Sequence, residues 1–118
     1  MAQAKALLGK KGSEQEVIRL SNQVLFTIQS ADAYLYRAYA KYDLGDKQGA
    51  IADYTQAIAI NPKYAYAYNN RANTKLYLND RENASGACRD FKKAISLGDT
   101  LTSQWLHTKN GAWCRDMP

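Results

Sequence analysis

The chain has one histidine, His107, and two cysteines, Cys88 and Cys114. A Cys–His pair, with the imidazole as the base that activates a thiol, is the one nucleophilic constellation these residues could form. The rest of such a site is missing: there is no CxxC, no HExxH and no glycine-rich phosphate loop. Two cysteines and one histidine also fall a ligand short of a tetrahedral metal site and lack its spacing. The expectation is no catalysis, no cofactor and no metal. The cysteines keep two readings. Cys88 is a small buried hydrophobe on a helix, or the tail from Gly111 to Cys114 folds back and pairs with it as a disulfide. Asn83-Ala84-Ser85 has the form of a glycosylation acceptor and is read as a chance match.

With 118 residues the chain has room for one domain with a modest core. Two prolines, few β-branched runs and abundant Ala, Lys, Leu and Tyr favour helix. Nine tyrosines against two phenylalanines suit a recognition surface, because a tyrosine ring can be covered while its hydroxyl meets water or a partner. The net charge of +5 is spread along the chain instead of forming a stripe, which disfavours a nucleic-acid footprint. The only apolar run near the start is Ala6-Leu7-Leu8, too short for an export-signal core, and no stretch approaches membrane-spanning length. As written the chain reads as soluble and cytoplasmic, with no membrane role. The compartment stays open, since an export signal could be missing from it.

Positioning comes from a repeat. Tyr34/Tyr68, Arg37/Arg71, Ala38/Ala72, Lys41/Lys75, Leu44/Leu78 and Asp46/Asp80 each lie 34 positions apart. Tyr34, Ala38 and Lys41 share one helix face. Gly45 suits a left-handed cap and Asp46 the start of a next helix. A second amphipathic helix carries Ala50, Tyr54, Ala57 and Ile58 on one face and ends at Asn61-Pro62. These signals predict helices over 31–44, 47–60, 65–78 and 86–97. The last matches 47–60 at a shift of 37, so three extra residues fall in DRENASG, expected as a longer inter-helix turn. Upstream, Ser13 and Glu16 have capping-box spacing at the head of a helix. Val17, Val24 and Leu25 align there with Ala50, Ala57 and Ile58.

This pattern resembles the tetratricopeptide repeat, a helix-turn-helix unit of the same period. The first copy supplies its signature residues Tyr34, Ala38, Ala50, Tyr54, Ala57 and Pro62. The second supplies Tyr68, Ala72, Ala87, Phe91 and Ala94, with Gly98-Asp99 replacing the Asn-Pro ending. Small residues at these positions let paired helices approach closely, and the aromatics fill the gap to the next. The resemblance implies an all-α solenoid of antiparallel helix pairs. Its expected divisions within one domain, 1–118, are a degenerate repeat 1–30, repeats 31–64 and 65–98, and a capping helix and tail 99–118. Trp105 takes the aromatic position of that cap, while Lys109 replaces the small residue. Arg37 and Arg71 stand where the family usually has Leu, facing Asp53 and Asp90, so an Arg–Asp pair within each repeat is expected. Lys41 and Lys75 are expected to pack their stems and send their amines to water.

In that family the concave face is made by set positions of each repeat's first helix. Those carried over here as the partner-binding groove are Leu35, Tyr36, Tyr39, Tyr42, Asn69, Asn70, Asn73 and Tyr77. Tyrosines and asparagines there could stack on apolar side chains and hydrogen-bond an extended peptide. The resemblance therefore implies a protein-interaction module, an adaptor or scaffold, whose partner is another protein or peptide. The family's clamp for C-terminal carboxylates is not expected, because Leu35 and Tyr39 occupy its Lys and Asn positions and only Asn70 matches. Self-association through the groove or the open repeat ends, giving a homo-oligomer, is the alternative. Single-stranded RNA binding ranks below it, since Asp32 and Asp43 on the same face would repel phosphates.

Overall fold

A glycine followed by an aspartate sets the rhythm of this chain twice. At Gly45, with φ 91°, the amide N–H donates to the Tyr42 carbonyl, and the next N–H, of Asp46, donates to the Lys41 carbonyl. Gly98, with φ 103°, repeats this with Ile95, and Asp99 repeats it with Ala94. Both are the paired bonds of a left-handed helix end, where a side chain on the glycine would be strained. Each aspartate then caps the following helix: Asp46 accepts from Gly49 N–H at 2.8 Å and Asp99 from Thr102 N–H at 3.0 Å.

The computed structural model describes residues 2–78, 81–108 and 111–117. Asp80 and Lys109, used in the sequence pattern, lie outside them. The described residues are helical with no strand, and the chain divides into two compact units, Met1–Pro62 and Lys63–Pro118. The first holds α1 (Ala2–Leu7), α2 (Glu14–Thr27), α3 (Ala31–Asp43) and α4 (Lys47–Ile60). The second holds α5 (Ala65–Leu76), α6 (Arg81–Ser96), α7 (Thr100–Leu106) and α8 (Ala112–Arg115). Neighbouring helices pack: α1 with α2, α2 with α3 and α3 with α4 in the first unit; α5 with α6, and α6, α7 and α8 with one another, in the second. The fold is all-α and built of tetratricopeptide-type helix pairs, as expected.

Small side chains make that pairing close. Ala38, Ala50 and Ala57 have no exposed surface, nor do Ala72, Ala87 and Ala94. Tyr54 and Phe91 are buried beside them, Pro62 is exposed after α4, and Tyr34 and Tyr68 are half-buried. Around these cores the repeated charges converge. Arg37 donates to both oxygens of Asp53, Nε to Oδ2 and Nη2 to Oδ1, each at 2.8 Å. Arg71 does the same to Asp90 at 2.8 and 2.7 Å. Arg37 also lies 5.4 Å from the Tyr34 ring centre and Arg71 5.7 Å from that of Tyr68. The hydrogen bonds that each guanidinium donates to its carboxylate hold both arginine pKa values above their ordinary level, outweighing burial.

Three expectations are corrected here. The amines of Lys41 and Lys75 do not reach out to water: they close on Asp53 Oδ2 at 3.1 Å and Asp90 Oδ2 at 3.2 Å. The reason is spacing, for each lysine lies one helical turn beyond its arginine on the same face. The three extra residues do not lengthen the turn. Lys47 corresponds to Ala84 at the shift of 37, yet α6 already starts at Arg81, so the insertion adds to the helix. The Ser13–Glu16 capping box does not form, since Ser13 makes no cap bond and Glu16 pairs with Arg19.

The second unit is closed by its own tail. Ala72, Ala87, Cys88, Phe91 and Cys114 form one buried cluster, with Leu76, Trp105, Leu106 and Met117 packed against it. Cys88 and Cys114 are disulfide-bonded, with Cα atoms 5.3 Å apart. Trp105 packs on Phe91 at 5.2 Å between ring centres and meets Trp113 edge-on at 6.3 Å. Lys92 Nζ donates to the Met117 carbonyl at 2.5 Å.

Two measurements follow from this packing. Asp90→Ala removes the carboxylate that Arg71 and Lys75, both under one-fifth exposed, share, and leaves the two cations facing each other. The second unit should lose about 2–3 kcal/mol, read by urea unfolding of tryptophan fluorescence, since both tryptophans lie in it. A loss below about 0.5 kcal/mol would show that the carboxylate does not hold the pair. Reduction with dithiothreitol opens a loop of 26 residues and should cost about 3 kcal/mol by the same probe. An unchanged midpoint would show that the bond adds no constraint.

Candidate functional site

The two copies treat the same helix face differently. In α3, Leu35 and Tyr36 are buried, 7% and 8% exposed, which corrects their expected place on an open groove. The cause is that α3 is packed from two sides, by α2 and by α4, so a wide arc of it is core. Burial first, and then the charge of Asp32, holds the Tyr36 phenol above its ordinary pKa. Tyr39 remains exposed, and the Tyr42 ring sits under the Lys47 ammonium, 3.6 Å from its centre. Beside Tyr39 lies a void of about 10 Å³ between Leu7, Leu8, Val17, Tyr39, Ala40 and Asp43. That is room for about one water molecule at most.

In α5 the matching positions are Asn69 and Asn70, and there the face opens on a cavity of about 390 Å³. Its walls are Ala65, Tyr66, Asn69 and Asn70 from α5, and Leu97 to Thr102 from the turn into α7. Asn69 is locked in orientation. Its side-chain oxygen accepts from Asn73 Nδ2 at 3.1 Å, while its nitrogen donates to Asp99 Oδ2 at 3.0 Å and Thr102 Oγ1 at 2.5 Å. Thr102 Oγ1 in turn donates to Asp99 Oδ2 at 2.5 Å. The side-chain amide of Asn70, by contrast, makes no hydrogen bond among the described residues. Tyr66 and Leu101 rim the opening, 73% and 76% exposed. Tyr77 is exposed at the far end of the helix, away from the cavity lining.

The structure thus brings Asn69, Asn70 and Asn73 together and leaves Tyr39, Tyr42 and Tyr77 outside the cavity. Sequence reasoning missed Asp99, Leu101 and Thr102 as lining residues. Asp99 had a signal, its match to Asp46 as a helix cap, but a cap shows only where one carboxylate oxygen points. The described residues hold no group of three or more His, Cys, Asp and Glu that could bind a metal. No helix among them is long and apolar enough to cross a membrane.

Paired helices with small interfacial residues, a repeated charge cluster and an open first-helix face define a helical-repeat protein. Residues 38–77 match the family model described as TPR repeat. "Tetratricopeptide repeat protein 36" of Danio rerio is 46% identical over 55 residues, covering 47% of this chain and 28% of that protein. The chain therefore spans less than a third of that relative. Together the helix pairs and these matches support a tetratricopeptide-repeat assignment, with the family match itself lying over residues 38–77. Repeats of this kind generally mediate protein–protein interaction, and proteins of the family are typically interaction or scaffold modules without catalysis.

The different fate of the two faces is measurable. Tyr36→Asn gives α3 the residue α5 carries at the matching position, Asn70, but places it in a core. It should cost about 3 kcal/mol in chemical unfolding of the first unit followed by circular dichroism. A cost within about 0.5 kcal/mol would return Tyr36 to the surface.

Proposed function

We propose that this protein is an interaction module, an adaptor or scaffold, that holds an extended peptide segment of another protein against α5. The observation that carries the reading is the 390 Å³ cavity, where an unengaged amide, a fixed polar cluster and two exposed apolar groups converge. An extended strand presents backbone donors and acceptors in alternation, and Asn70 can serve either with its side-chain amide. Tyr66 and Leu101 offer apolar area at the rim for the flanking side chains, which is how few-residue anchors supply most binding energy. The groove assigned from the sequence contracts accordingly. Leu35 and Tyr36 leave it, Asn69 and Asn73 become its positioning residues, and Asn70 with Tyr66 makes its contact surface.

Self-association has one observation in its favour. Phe26 and Ile28, at the end of α2, are 91% and 59% exposed and offer an apolar edge to a second copy. Sedimentation over a range of concentrations separates this from a monomeric binder.

Selection of short random peptides on the purified protein supplies ligands, and fluorescence anisotropy gives their affinities. The Tyr66→Ala, Asn70→Ala double variant should bind selected peptides at least about tenfold more weakly, about 1.4 kcal/mol. Peptides that bind wild type and double variant equally would remove the α5 face from the interaction.

A further inference from the structure

The cavity beside α5 also constrains the chemistry of the segment that fills it, a step that rests on the interaction reading above. Asp99 brings a formal negative charge to the wall, yet it belongs to none of the ion pairs among the described residues. Its three hydrogen-bond donors are all neutral: the Thr102 amide, the Thr102 hydroxyl and the Asn69 side chain. A carboxylate offers about four acceptor directions, so Oδ1, which receives only the Thr102 amide, keeps one. Asp53 and Asp90 show the contrast, each carrying an arginine and a lysine. Asp99 is the capping aspartate that faces a cavity while its charge stays uncompensated.

We propose that this cavity takes a lysine or arginine side chain of the partner segment, with the segment's neighbouring apolar residue resting on Leu101. Each wall suits that occupant. The stem of a long basic side chain lies along Leu97 and the Tyr66 ring, whose face attracts the cation. The charged head reaches the open side of Asp99 and the carbonyl oxygen of Asn70. An acidic residue would meet like charge, and a purely apolar one would cover Asp99 without pairing it, at a desolvation cost. The chain as a whole is basic, at +5. A single negative point within it does not steer a basic partner from afar; it fixes which residue of the segment sits at the cavity.

The test uses peptides selected on the wild-type protein, each paired with an analogue in which glutamine replaces the basic residue. Enriched peptides should share a lysine or arginine beside an apolar residue, and the glutamine analogue should bind about tenfold more weakly. Asp99→Asn keeps a capping side chain and removes the charge. It should lose about tenfold for the basic peptide and little for the analogue, with weakening at raised ionic strength abolished in the variant. Should Asp99→Asn fail to fold, the peptide-side substitution reads the same charge pairing on unaltered protein. Enrichment without basic residues, or equal affinity of peptide and analogue, overturns the cationic assignment. The interaction reading survives that result if the Tyr66→Ala, Asn70→Ala variant still binds weakly. If wild type selects no peptide, or the double variant binds undiminished, both readings fall.

Discussion

Everything positioned in this protein depends on a carboxylate shared by two cations at the interface of a helix pair. Asp53 on α4 receives Arg37 through two parallel bonds and Lys41 through a third, and Asp90 on α6 receives Arg71 and Lys75 in the same way. A planar guanidinium gripping both oxygens fixes distance and rotation at once, which an apolar contact cannot do. Alanines with no exposed surface lie on the same paired helices, so the helices are close enough for a one-residue slip to separate the charges. Buried ion pairs add little net stability compared with apolar residues of the same size. What this one contributes is register. That explains why tyrosine, arginine and lysine recur together: the ring flanks the guanidinium, and the ammonium closes the far side of the carboxylate.

With register fixed, the outward faces of the first helices are free to differ. On α3 the positions Leu35 and Tyr36 fall under a neighbouring helix and are apolar because they are core. On α5 the matching Asn69 and Asn70 border open space and are polar because water or a partner must be met. The contrast between the two copies is therefore one of burial. Tyr39 and Tyr77 remain exposed and lie outside the lining of the cavity beside α5.

How much of this the sequence carried follows from the range of the interactions. Helix ends were legible where one residue decides them: Gly45, Asp46 and Asn61 sit at the boundaries their types predict. The facing of Arg37 toward Asp53 was legible because the coincidence occurs twice. The lysines were misjudged because the tendency of long amines to seek water was set against a carboxylate whose second lone pairs the sequence does not display. The extra residues before Gly86 were read as a turn, although Arg-Glu-Asn are tolerated helix formers and simply continue α6 toward its start. Leu35 and Tyr36 were misplaced for a different reason. A helical wheel gives the direction of a side chain from its own axis, and only packing tells how many neighbours cover that direction. Asp99 combined both difficulties, since its cap role was visible and its second oxygen was not.

The candidate site also depends on residues remote from it in sequence. Helix α7 has seven residues, too short to persist by its own hydrogen bonds. One end is set by the Gly98 turn off α6, the other by Trp105 wedged between Phe91 and Trp113. Trp113 in turn belongs to α8, which Cys114 ties to Cys88 on α6. Asp99 and Thr102, at the start of α7, therefore stand on a clamp whose far jaw is the C-terminal tail. Release of the tail would leave the Gly98 turn intact, because its bonds are local, but would free the other end of α7. Asp99 would then stay near α6 while Thr102 loses its fixed distance to Asn69. The polar cluster that orients Asn69 would loosen first, before the helix pair itself is disturbed. In this arrangement the disulfide acts through α7 on the geometry of the cavity beside α5, at a distance from its walls.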